Sequence, residues 1–128
     1  MSKNRVINVL RTSAMPIYQQ LRLEESLLRI TKKNWLLLND GTPDPAIVLG
    51  ISGKPEKLVH LPDARAAGIQ MIKRYTGGGT VMVDSNTVFV TMVFNTSDVP
   101  EVQPFPCPIM KFTGQVVPCT PGFVVLLI

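Results

Sequence analysis

Lys73-Arg74-Tyr75-Thr76-Gly77-Gly78-Gly79-Thr80-Val81-Met82-Val83-Asp84 is the stretch on which the reading of this 128-residue chain turns. Three consecutive glycines remove every Cβ from a short segment, so the backbone can approach a ligand closely and point its N–H groups at an anion. The spacing is neither GxxxxGK[ST] nor GxGxxG opening a helix, because residues 80–83 after the glycines predict a strand. Residues 69–75 before them predict another. The residues alone leave two readings open. In one, Arg74 holds a carboxylate or phosphate in bidentate fashion while Asp84 balances that charge or holds a donor. In the other, the glycines are a flexible hairpin turn with charges on its surface.

Working outward, residues 87–94 predict a further strand, with Val88, Val90, Met92 and Phe94 facing one way and Phe89 and Val93 the other, hence buried on both sides. Upstream, residues 46–51 predict a strand, 52–57 a polar loop, and 61–68 a short helix with Pro62 near its start and Gly68 as its stop. Residues 6–10 and 35–38 read as short apolar strands, with a turn at 39–43. Between them residues 17–30 predict a helix opened by Pro16. Its stripe is Leu23, Leu27 and Ile30, widened by Leu21 and Leu28, with Glu25 placed to pair with Arg29. Residues 108–115 predict a short helix. Residues 116–128 carry no clear pattern, although 123–128 have high β-propensity and no charge, and a chain that stops there looks incomplete.

Length and composition argue for one globular domain, with 45% hydrophobic and 17% charged residues. No apolar run approaches the roughly 18 residues of a membrane helix. Formal charge is +4, unevenly spread: residues 1–33 hold Lys3, Arg5, Arg11, Arg22, Arg29, Lys32 and Lys33 against Glu24 and Glu25. Such a front half attracts anionic ligands or acidic proteins, while nucleic-acid binding would show more charge with aromatics interleaved. Cys107 and Cys119 lack a second pair for a metal site, so free thiols in a reducing compartment are expected. The first 23 residues hold four bases and no acid, as mitochondrial leaders do, yet strand and helix patterns begin at once and leave no room for a removable one. The expected location is intracellular, with cytoplasm and mitochondrial matrix both left open. His60 reads as a surface histidine, and no Ser or Cys has a base at informative spacing, so no catalytic residue and no metal ligand is assigned.

The order of Leu21-Arg22-Leu23-Glu24-Glu25 on a helix, Ala46-Ile47-Val48-Leu49-Gly50 on a strand, then Arg74-Tyr75-Thr76-Gly77-Gly78-Gly79-Thr80-Val81 with Asp84 resembles the lipoate–protein ligases of the biotin/lipoate ligase superfamily. The resemblance implies a mixed, mostly antiparallel α/β sheet with flanking helices, like class II aminoacyl-tRNA synthetases, with residues 1–115 as its amino-terminal part and 116–128 an atypical apolar tail. It implies a substrate site at Arg74, Tyr75, Thr76, Gly77, Gly78, Gly79, Thr80, Val81 and Asp84, with Glu24 and Glu25 supporting it and Val48, Val81 and Val90 as apolar walls. The implied activity attaches lipoate, through an acyl-adenylate, to one lysine of an acceptor. Lipoate and ATP with Mg²⁺ are substrates, with no tightly bound cofactor. The acceptors are lipoyl domains of 2-oxoacid dehydrogenases or the glycine-cleavage carrier protein, with no nucleic acid and no membrane. Octanoyl or lipoyl transfer, biotin ligation and a non-catalytic binding module are the alternatives.

Three departures bear on that expectation. Val83 stands where the family has His before the aspartate, and Ile51-Ser52-Gly53-Lys54 replaces Arg-x-Gln-Asn after Gly50. The family's essential lysine lies on a later Lys-[Ile/Val]-x-Gly strand, which these 128 residues do not contain; Lys111 is the single lysine after the glycines. Adenylation accumulates negative charge at the α-phosphate, and one donor aimed there is typically worth a few kcal/mol. Impaired turnover is therefore expected.

Overall fold

The computed structural model describes residues 5–116 and 123–127. In chain order the elements are β1 (Ile7–Ser13), α1 (Ile17–Ile30), β2 (Asn34–Asp40), β3 (Ala46–Leu49), α2 (Pro55–Leu58), α3 (Leu61–Ala66), β4 (Gln70–Lys73), β5 (Val81–Val83), β6 (Val88–Val93), α4 (Pro106–Val116) and β7 (Phe123–Leu127). They form a four-stranded sheet in the order β1-β2-β6-β7 and a three-stranded sheet in the order β4-β3-β5.

The mixed α/β class with flanking helices is as expected, but the pairings lean the other way. β1–β2, β3–β4 and β6–β7 are parallel, whereas β2–β6 and β3–β5 are antiparallel. The reason is connectivity: α1 and the α2–α3 pair each carry the chain back to the end of the sheet where the preceding strand began, and α4 lies in the corresponding crossover between β6 and β7, as parallel neighbours require.

The expected hairpin across the glycines is not formed. β4 and β5 do not pair with each other; both flank β3, with Val48 opposite Ile72 on one side and Val81 on the other. The three glycines cross over the carboxyl end of β3, a connection that local pattern cannot distinguish from a tight turn. Other boundaries shift for local reasons. β2 runs on to Asp40 because Asp40 pairs with Val88, so the turn begins at Gly41, whose φ is +78°. A helical turn interrupts the 52–57 loop, and α4 begins two residues early. The tail is not patternless: the backbone of Phe123–Leu127 runs parallel to β6, Phe123 opposite Val88 and Leu127 opposite Met92.

Thr42 rather than Pro16 satisfies the start of α1: its buried Oγ1 accepts a hydrogen bond from Ile17 N at 3.2 Å, and Pro16 supplies no side-chain cap. The buried face of α1 is Ile17, Gln20, Leu21 and Glu24, not the Leu23–Leu27–Ile30 stripe, and Ile30 is exposed. Two polar residues can turn inward because the sheet supplies partners. Asn39 Nδ2 donates to Gln20 Oε1 at 2.9 Å, and Thr91 Oγ1 donates to Glu24 Oε1 at 2.6 Å. Ile17 and Leu21 then join Ala46, Val48, Ile72, Val83 and Phe89 in one core, so α1 ties the two sheets together.

Candidate functional site

β3 and β4 leave their ladder side by side. Arg74 N donates to Leu49 O and Ile51 N to Thr76 O, each at 2.9 Å, which brings the glycine segment across Gly50. Only glycine fits beneath it, since a Cβ on Gly50 would collide with the Gly78 carbonyl. Gly78 has φ +115°, a conformation that side chains other than glycine's rarely adopt, and the Arg74 guanidinium covers it. Arg74 Nη2 donates to Gly79 O at 3.1 Å. The arginine therefore clasps the loop with one nitrogen, while its Nε is buried without a protein partner.

Between this loop and α1 lies an open cleft of about 570 Å³. Leu21, Ile51 and Ile72 supply apolar wall; Lys73, Arg74 and Tyr75 close the β4 end. The helix side carries a polar row. Arg22 Nη1 donates to Tyr18 Oη at 3.3 Å, and Arg29 Nε donates to Glu25 Oε1 at 2.9 Å.

Behind the cleft sits Glu24, 1% exposed. Its Oε1 accepts from both Gln20 Nε2 and Thr91 Oγ1, while Oε2 has no protein partner. Arg74 Nε and Tyr75 Oη are likewise buried and unpartnered, and these three are the side-chain atoms in that condition among the described residues. Buried polar atoms are ordinarily satisfied, so these three concentrate uncompensated polarity beside the cleft. The charges are coupled. Burial raises the Glu24 carboxyl's pKa, opposed by its bonds from Thr91 and Gln20 and by the Arg74 charge. Burial lowers the Arg74 pKa, and Glu24 pulls it back up. The Tyr75 phenol is pushed far up, first by burial and then by the charges of Glu24 and Glu25.

Of the residues expected at the site, Arg74 and Tyr75 line the cleft, and Thr76 and Gly77–Gly79 form the loop that Arg74 clasps. Thr80 is half-buried where the loop enters β5. Asp84 is placed at the other end of β5. Its carboxylate accepts from Asn86 N at 2.8 Å and Thr87 Oγ1 at 3.3 Å, which commits it to the turn into β6. Val48 and Val90 are buried and Val81 packs on the core, so the cleft's walls come instead from Leu21, Ile51 and Ile72. Sequence reading missed Tyr18, Arg22, Ser26 and Arg29 as a lining. Their spacing along one helical face was the available signal. His60 is exposed and pairs with Asp63 at 2.8 Å, and Cys107 is an exposed free thiol; Cys119 lies outside the described residues.

Comparison with known proteins gives this geometry a family. The inactive lipoate–protein ligase 2 of Plasmodium falciparum (isolate 3D7) is 29% identical, over 71% of this chain and 30% of its own. A Thermoplasma acidophilum protein assigned to the lipoate protein ligases, solved with bound lipoic acid, is 26% identical with a TM-score of 0.55, over 64% of this chain and 34% of its own. Lipoate–protein ligase A bound with ATP is also 26% identical, TM-score 0.53, over 64% and 33%. The bipartite T. acidophilum lipoate protein ligase, studied with its E2 lipoyl domain, matches at 26% with a TM-score of 0.54, over 64% and 32%. The chain thus spans about a third of the length of the relatives it matches. No helix among the described residues is long and apolar enough to cross a membrane. Residues 16–116 match the lipoyl protein ligase A/B catalytic domain, and the chain belongs to that family.

Proposed function

We propose that this chain takes lipoate and lipoyl-adenylate into the cleft between α1 and the glycine loop, as part of attaching lipoate to a lysine of lipoyl-domain acceptors. The observation that carries this reading is the Arg74 guanidinium, held by one nitrogen on Gly79 at the end of a cleft walled by Leu21, Ile51 and Ile72. A cation at one end and apolar wall along the side suit an acyl chain that ends in a carboxylate or an acyl phosphate. Relatives solved with lipoic acid and with ATP support the substrates, and one studied together with its E2 lipoyl domain supports the kind of acceptor.

In adenylation the lipoate carboxylate attacks the α-phosphate of ATP and pyrophosphate leaves. Arg74 would hold the carboxylate and then the mixed anhydride, while the glycine N–H groups offer donors to phosphate oxygens. Mg²⁺ would arrive with ATP, held largely by its phosphates. Residues 1–115 would be the amino-terminal part of the catalytic domain. The compartment would be one that holds lipoyl-domain enzymes, cytoplasm or mitochondrial matrix.

Turnover by these 128 residues is a different matter. They contain no Lys-[Ile/Val]-x-Gly sequence; Lys73 is exposed at the rim, and Lys111 lies on α4. Binding with little transfer is the expected behaviour, which favours a binding module as the second reading. Incubation with ATP, Mg²⁺, lipoate and a lipoyl domain, read by intact mass, should leave the acceptor almost unmodified. A full mass gain on one acceptor lysine would contradict the impairment.

A further inference from the structure

β1 ends its sheet. Along Ile7–Ser13 one side is paired with β2, and the other has no strand beside it among the described residues. Among the described residues that edge is open over seven residues, and proteins usually blunt open edges with charge, proline or bulges. Here Ile7 and Val9 stand 48% and 61% exposed on one face, while Asn8, Leu10 and Thr12 are half-buried on the other. At the start of the strand a cleft of about 340 Å³ is lined by Asn8, Lys32, Lys33 and one carboxylate, Asp98, which accepts from Asn34 Nδ2 at 3.1 Å, and a cleft of about 500 Å³ shares the same two lysines. Both lysines are exposed, and neither ammonium is in an ion pair among the described residues. Arg5, by contrast, is paired with Glu101. Exposed Arg11 adds a further cation along the strand.

We propose that the β1 edge and the Lys32–Lys33 cleft form one docking strip for an extended acidic segment of a protein partner, added as a further strand. Main-chain hydrogen bonds to β1 would supply affinity. Alternating side chains would supply selection, apolar ones beside Ile7 and Val9 and carboxylates on the face of Asn8, near Lys32 and Lys33. Charge decides the occupant. A second copy paired antiparallel about Val9 would bring two sets of Lys32, Lys33 and Arg11 into one interface, whereas an acidic strand meets them with opposite sign.

The probe is a fluorescent peptide of alternating glutamate and valine, titrated with the full chain at low and high salt. Saturable binding that weakens with salt is expected, with amide resonances of residues 7–13 shifting in NMR spectra of the complex. Lys32→Glu with Lys33→Glu should weaken it about tenfold, and Val9→Glu, an exposed edge position, should weaken it similarly. Unchanged circular dichroism checks that these variants fold. Absence of binding, equal binding of a lysine–valine peptide, or wild-type affinity in both variants overturns the proposal. A salt-insensitive dimer abolished by Val9→Glu would also overturn it, assigning the edge to a second copy.

Discussion

Gly50 and Gly78 meet backbone to backbone: a Cβ on Gly50 would lie 3.1 Å from the Gly78 carbonyl carbon and closer still to its oxygen. The loop between β4 and β5 can therefore cross the end of β3 this closely only because Gly50 lacks a side chain, while Gly78 leaves room for the Arg74 guanidinium. Gly77 and Gly79 have no atom within 4 Å of a built Cβ and no positive φ. Gly50→Ala should cost about 1–3 kcal/mol by urea unfolding, because the neighbour is backbone and cannot swing aside. Gly77→Ala and Gly79→Ala should stay within about 0.5 kcal/mol of wild type. Equal losses at all three positions would contradict this packing.

Glu24 predicts a pH dependence. Burial raises its folded-state pKa above the ordinary value of 4.5, so folding favours the protonated form. The stability this contributes is complete below the ordinary value and is lost as pH rises through the raised one. Unfolding free energies taken between about pH 4 and 8 should fall more steeply with pH for wild type than for Glu24→Gln. Parallel curves would show that the carboxyl does not titrate with folding.

The side chain of Thr42 caps α1 from a loop 25 residues away. Thr42→Val leaves Ile17 N unpaired in a buried place and should cost about 1 kcal/mol or slightly more by thermal unfolding, while Thr42→Ser should restore most of it. A neutral Thr42→Val would mean that the helix start finds another acceptor.

The tail strand should matter to stability. β6 is buried along nearly its whole length, and β7 covers one of its edges. Deleting residues 122–128 leaves the backbone groups of that β6 edge without their strand partner, and an unpaired edge on an apolar strand is a template for association. Light scattering and thermal melts should show an earlier, aggregation-prone transition. An unchanged melt of a monomer would contradict a structural part for β7.

Much of the secondary structure is legible in the chain because it is local. The helix bounds at 17–30 follow from Pro16 and the apolar spacing, and strands 3 to 6 follow from short branched runs. What is not legible depends on distant partners. Residues 70–73 and 81–83 look alike whether they pair with each other or with Ala46–Leu49 between them. Nothing local shows that Gln20 and Glu24 turn into the core; that needs Asn39 and Thr91, which bond them from distant strands. Arg74 and the glycines stand out as one contiguous run. Tyr18, Arg22 and Arg29 do not, because a charged helical row reads as surface until the other wall of the cleft is in place.

The central claim is that Arg74, clasping the glycine loop, receives the acyl-phosphate end of the ligand. Calorimetric titration of the chain with a non-hydrolysable lipoyl-adenylate analogue tests it most directly. Saturable binding is predicted for wild type. Arg74→Ala should lose about tenfold or more in affinity, the scale of one charge-assisted hydrogen bond, while Lys73→Ala on the exposed rim should change it about twofold or less. No binding by wild type, or equal losses from both substitutions, would contradict the account.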